Sequence, residues 1–107
     1  MVNNKNAKKG AKAEKRAARI LGAKRKAGPN SPDLQKGKER IEVKNYKKPL
    51  TIKQLQNAYS QNHAQIIVSE TGFQEETLSY ADTNMQSVQL REGTTRRSKV
   101  VKRRLSK

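Results

Sequence analysis

Apolar positions along the chain change period from one stretch to the next. Ala7, Ala11, Ala18 and Leu21 recur at helical spacing among strong helix formers, which predicts a helix over 11–21 stopping near Gly22. KRKAGPNSP, residues 24–32, reads as a basic, turn-rich connection. In RIEVKNY, Ile41 and Val43 alternate with Glu42 and Lys44, the period-two signature of a strand, and DLQ on the far side of Gly37 supplies the other arm of a hairpin. Thr51 and Gln54 form a capping box, Leu50 and Leu55 are spaced as a hydrophobic staple, and Ile52, Leu55 and Tyr59 mark one face of a second helix. AQIIVSE reads as a buried strand and SVQLRE as a weakly alternating edge strand, with a short helix or loop between them. The expected class is α/β, a mixed sheet flanked by helices in the order α-β-β-α-β-(α)-β. The expected domains are a disordered basic arm over 1–9, a folded domain over 10–93 and a mobile basic tail over 94–107.

With 107 residues and 32% apolar content, the chain fills only a modest core. It contains no cysteine and one histidine, His63, which removes disulfide frameworks, thiolate zinc sites and histidine-rich metal sites from consideration. The longest apolar run, Ile66-Ile67-Val68, is far short of the roughly 20 residues that span a bilayer, and the start of the chain lacks the apolar core of a secretory signal. An intracellular protein, in cytoplasm or nucleoid, is the expectation.

The formal charge of +16 changes the picture through its distribution. Residues 1–26 carry ten Lys or Arg against Glu14 alone, residues 94–107 carry seven and no acid, and residues 27–93 balance eight of each sign. Basic flanks around a neutral middle suit a nucleic-acid backbone, with an affinity that falls as salt rises. A solvated tail or an acidic membrane surface would show the same charge. Lys15, Arg16, Arg19, Lys24, Arg25, Lys26, Arg96 and Arg97 are the candidate phosphate contacts.

Within the neutral middle, strand alternation places the Glu42 carboxylate and the Lys44 amine on one side of one strand. If the strand entered through Asp33 pairs with it, a second carboxylate reaches the same patch. Two close carboxylates repel unless a cation lies between them, and Mg²⁺ is bound by one or two carboxylates with waters and phosphate oxygens. A lysine beside such a metal can orient an attacking water and offset charge on a phosphorane-like transition state. A bare Glu-x-Lys is otherwise commonly the wet face of a strand, with Asp33 a turn residue after Pro32.

Glu14 adds weight to the first reading, because Gly10, Ala11, Ala17 and Ala18 are its neighbours at three and four residues and none is basic. It shares its face with Ala7, Ala11, Ala18 and Leu21, so it is expected to aim inward and to meet Asp33, Glu42 and Lys44 across the helix–sheet interface. Gln54 is a capping residue or a polar contact to the site, Ser31 a turn residue or a phosphate contact. His63 reads as a loop residue, and Tyr46 and Tyr59 as packing.

Pro32-Asp33 with Glu42-Val43-Lys44, preceded by Glu14 on the first helix, resembles the PD-(D/E)XK nuclease superfamily and within it the small archaeal-type Holliday junction resolvases. The resemblance runs from about Lys9 to Glu92. It implies a restriction-endonuclease-like fold, Mg²⁺ with Mn²⁺ able to substitute, and a homodimer that cuts branched DNA, with no membrane or small-molecule partner. By that resemblance Asp33, Glu42 and the Val43 carbonyl are metal ligands, Lys44 is the catalytic lysine, and Glu14 is a metal-linked or water-linked acid. The chain departs from the resolvases in having a single phenylalanine, Phe73, for a dimer surface, and Gln54 and Gln56 stand at the wrong spacings from Tyr59 for a Gln-x-x-x-Tyr element. A nicking, restriction- or homing-type endonuclease is the alternative within the same chemistry. A non-catalytic nucleic-acid-binding protein is the alternative outside it.

Overall fold

The computed structural model describes residues 4–25, 34–94 and 97–104. Helix α1 (Asn4–Leu21) leads into β1 (Lys24–Arg25), β2 (Leu34–Lys36) and β3 (Glu39–Lys44), followed by α2 (Ile52–Asn62), β4 (Ile66–Ser69), α3 (Glu75–Asn84), β5 (Gln89–Glu92) and β6 (Lys99–Lys102). The strands form one six-stranded sheet in chain order. β1, β2 and β3 are antiparallel, β3, β4 and β5 are parallel through the crossover helices α2 and α3, and β6 returns antiparallel to β5. An α/β class with a mixed sheet flanked by helices is therefore the observed architecture.

Side-chain alternation divides the core between the two faces. Leu34, Ile41, Val43, Ile66 and Val68 pack with Ala13 and Ala17 of α1 on one face. Ile67 and Leu90 pack with Leu55, Ala58 and Ala81 of α2 and α3 on the other. Methyl side chains at 13 and 17, one helical turn apart, let α1 approach the sheet closely.

Local signals act where they were read. Lys36 pairs with Glu39 across a two-residue turn, and Gly37 takes the positive φ of 60° that such a turn requires. Thr51 accepts from the Gln54 backbone N–H at 3.2 Å while the Gln54 side chain accepts from the Thr51 N–H at 3.0 Å, which assigns Gln54 to the capping box. Leu50 and Leu55, the staple pair, are both fully buried. His63 ends α2 in the left-handed conformation, its ring edge-on to Tyr59.

The structure corrects the expectation at three places. Helix α1 already begins at Asn4, inside the segment expected to be a disordered arm, where Lys5, Ala7, Lys8 and Lys9 are good helix formers. The connection after Gly22 contributes the short strand β1, paired with β2. The basic tail contributes β6, so β5 is an internal strand and not an edge. Val101 packs against the core, and the amine of buried Lys102 donates to the carbonyls of Val88 at 2.6 Å, Arg103 at 3.2 Å and Gln86 at 3.4 Å. A lysine that hydrogen-bonds main chain through its tip while burying its stem serves as a core residue despite its charge.

Candidate active site

Strand β3 stands where the antiparallel half of the sheet meets the parallel half. Its odd residues Ile41 and Val43 face α1, so Glu42 and Lys44 face the α2 side, where Glu42 is paired with Ile67 of β4. The row continues through Leu90 of β5, so an apolar residue at position 42 would complete a hydrophobic row; the chain instead places a carboxylate there, 2% exposed. Lys44 Nζ lies 3.8 Å from Glu42 Oε2, and the lysine side chain keeps partial access to solvent. A buried carboxylate is costly unless compensated, and the nearby ammonium partly compensates it.

Backbone geometry around this pair is defined by β4. The Arg40 and Lys44 carbonyls accept from the N–H groups of Gln65 at 3.0 Å and Glu70 at 2.9 Å. Successive carbonyls of a strand point to opposite neighbours, so the Val43 carbonyl is directed to the side of β3 occupied by β2. Asp33 lies outside the described residues. The residue that follows it, Leu34, pairs with Ile41, the neighbour of Glu42.

Glu14 is half-buried and does not occupy the centre of the packed stripe, which belongs to Ala13 and Ala17. The expected meeting with Glu42 and Lys44 across the helix–sheet interface is corrected accordingly: α1 packs on the Ile41 and Val43 face, and the dyad points to the other face. Glu14 is nevertheless turned to a defined side. Arg16, nearly opposite it around the helix, reaches the ends of β4 and β5, where its Nη2 lies 3.5 Å from Glu70 Oε2 and its Nε donates to Thr94 Oγ1 at 2.9 Å. The Glu14 flank therefore faces the β1–β2 side of the sheet.

A divalent cation at this site would find the Glu42 carboxylate and the Val43 carbonyl as donors, with Asp33 adjoining Leu34 in sequence. Among the described residues no group of three or more His, Asp or Glu side chains is placed to hold a metal ion. A set of one or two carboxylates with a carbonyl fits Mg²⁺, which keeps several of its waters, and does not fit a metal that needs an all-protein cage.

The basic candidates separate by environment. Lys15, Arg19, Lys24 and Arg97 are exposed. Arg16 is engaged with Glu70 and Thr94, as given above. Lys26 and Arg96 lie outside the described residues, as does Ser31, and Arg25 is described in its backbone alone. Tyr46 is exposed, whereas Tyr59 packs against the core.

Sequence reading did not single out Glu70, Thr94 or Ser69. The Thr94 hydroxyl donates to the Glu70 carboxylate, closing a three-residue link between α1 and the ends of β4 and β5. Ser69, the fully buried cross-strand partner of Lys44, has a hydroxyl without a hydrogen-bond partner among the described residues. Only the SE dipeptide at the end of an apolar strand marks Ser69 and Glu70 in sequence, and no local pattern marks Thr94. Compared with protein-family models, curated proteins and solved structures, the chain matches none.

Proposed function

We propose that the chain is a Mg²⁺-dependent DNA endonuclease of the PD-(D/E)XK type with a restriction-endonuclease-like fold, acting on branched DNA as a homodimer. The observation that carries this reading is the Glu42–Lys44 pair: a buried carboxylate with an ammonium 3.8 Å away, on one face of the strand that joins the two halves of the sheet. The order of elements around it also agrees, with a helix and antiparallel strands before β3 and a crossover helix and a parallel strand after it. No helix among the described residues is long and apolar enough to cross a membrane, and the exposed Lys15, Arg19 and Lys24 supply cations for phosphates.

Asp33, Glu42 and the Val43 carbonyl would hold the metal ion, which when bound polarises a phosphoryl oxygen and lowers the pKa of a coordinated water. Lys44 is the group on the solvent side of the pair, placed to orient the attacking water and to stabilise negative charge on the phosphorus oxygens as it develops. Glu42 holds the Lys44 ammonium in place through the 3.8 Å contact. Glu14 lies on α1, which packs on the face of β3 opposite the dyad, and takes no part in this reading of the site.

The test is incubation of the full chain with Mg²⁺ and linear, nicked, flapped and four-way DNAs. Mg²⁺-dependent incision of the four-way DNA, lost in Glu42→Gln, supports the reading. Cleavage of linear DNA alone points to the restriction or homing alternative, and binding of every substrate without cleavage points to a non-catalytic DNA-binding protein.

A further inference from the structure

The face of β3 that carries Glu42 and Lys44 continues toward the hairpin with Arg40, which is exposed. Arg40 pairs with Gln35 of β2, and Gln35 pairs with Lys24 of β1. Cross-strand partners share a face, so Lys24, Gln35 and Arg40 form one row across the sheet, about 7 Å along β3 from Glu42. Lys24 is exposed like Arg40, and neither makes an ion pair among the described residues.

The row borders an open notch of about 230 Å³ lined by Gly22, Lys24, Gln35, Lys36 and Gly37. Both glycines leave empty space where a Cβ would stand, so main chain is accessible at the floor of the notch. The Gln35 amide donates to the Gly37 carbonyl at 2.9 Å, fixing the side chain between the two cations. Glu39, the acid beside the Gly37 turn, lies on the face of β3 opposite Arg40 and is paired with Arg104 at 2.7 Å.

We propose that the Lys24–Gln35–Arg40 row is a docking strip for the phosphate backbone of DNA, receiving phosphates adjacent to the one held at Glu42 and Lys44. The strip deepens the endonuclease reading and rests on it for the identity of the ligand. Its cations are fixed by strand register, unlike those of a mobile arm, so the strip sets the direction in which the strand leaves the site. Positioning of this kind comes from phosphate contacts and carries no base specificity.

The strip is tested by binding, separately from cleavage. A labelled four-way DNA is titrated at several salt concentrations with the full chain carrying Lys44→Gln, alone and together with Lys24→Gln and Arg40→Gln. Both sites are exposed, so folding is preserved, and circular dichroism verifies it. Two lost phosphate contacts should flatten the slope of log affinity against log salt by about 2. A control with Lys48→Gln and Lys53→Gln, an equal change of charge at exposed positions off the strip, should leave the slope unchanged. An unchanged slope in the strip variant, or an equal fall in the control, overturns the strip. If the wild-type chain cuts nothing but the strip variant loses slope, the endonuclease reading fails while the docking strip stands.

Discussion

The Lys44 amine lies 3.8 Å from the carboxylate of Glu42, two residues back on the same strand, with the acid buried and the lysine half-open. This asymmetry suits a lysine that must meet a ligand and an acid that must hold a fixed position. Asp33→Ala, Glu42→Ala and Lys44→Ala are each expected to lower single-turnover cleavage by about 100-fold or more, the scale of losing one electrostatic stabiliser. DNA affinity should change little, since exposed cations elsewhere supply most of it. Gel-based cleavage and anisotropy measured side by side check both halves.

Glu14→Ala is expected to leave the cleavage rate and the Mg²⁺ concentration needed for half-maximal rate unchanged, because α1 packs on the face of β3 opposite the dyad. Alanine is the better helix former by a few tenths of a kcal/mol, so helix stability should rise slightly while activity stays the same. A Mg²⁺ titration of the rate, with thermal melts of the same samples, tests both.

The link from Arg16 through Thr94 to Glu70 ties α1 to the far ends of the sheet, and Thr94 is buried within it. Thr94→Val removes the hydroxyl at nearly constant volume and should cost about 1–2 kcal/mol, since it leaves a carboxylate and a guanidinium without their shared partner. Urea denaturation is the measurement, with a lower midpoint at unchanged slope expected.

Lys102 has its pKa lowered by burial, a shift that Asp82 opposes through its charge. Because the folded state gives up this proton at lower pH than the unfolded chain, the unfolded state binds more protons between the two values. The contribution of Lys102 to stability therefore rises with pH across the window from its lowered pKa up to 10.5. Relative to Lys102→Met, the wild-type chain should gain stability as the pH rises toward 10.5, a difference read from paired urea melts.

Deleting residues 99–107 is expected to destabilise the domain and not merely weaken DNA binding. β6 covers the edge of β5, and Val101 packs on the core, so truncation exposes both. Loss of the cooperative melting transition in circular dichroism is the expected outcome; a tail without structure would leave the melt unchanged.

Much of the sheet's centre was legible because its signals are local. The Gly37 turn, the Thr51–Gln54 box and the alternation of Ile41 with Glu42 each involve neighbours within a few residues. β6 was missed because Val100 and Val101 stand among basic residues, and the pairing with β5 joins Val100 to Arg91 and Lys102 to Leu90, across the Gly93 connection. The rotation of α1 was missed for a related reason. Alanine occurs at 7, 11, 13, 17 and 18, so composition does not select a stripe, and the choice of Ala13 with Ala17 is made by Ile41 and Val43. For the candidate site, the placement of Glu42 and Lys44 on one face followed from period two, whereas the burial of Glu42 depends on α2 covering that face. Glu70 and Thr94 come together from positions 24 residues apart, a tertiary contact that no local pattern encodes.

Incision of a labelled four-way DNA in Mg²⁺, compared between the wild-type chain and Glu42→Gln, tests the central reading most directly. Glutamine keeps the shape of the side chain and removes the charge that would hold the metal and anchor Lys44. The expected result is cleavage by the wild-type chain that stops on chelation with EDTA, and cleavage reduced by about 100-fold or more in the variant with equal DNA affinity. Equal cleavage by the two proteins, or none by either at concentrations that saturate binding, would contradict it.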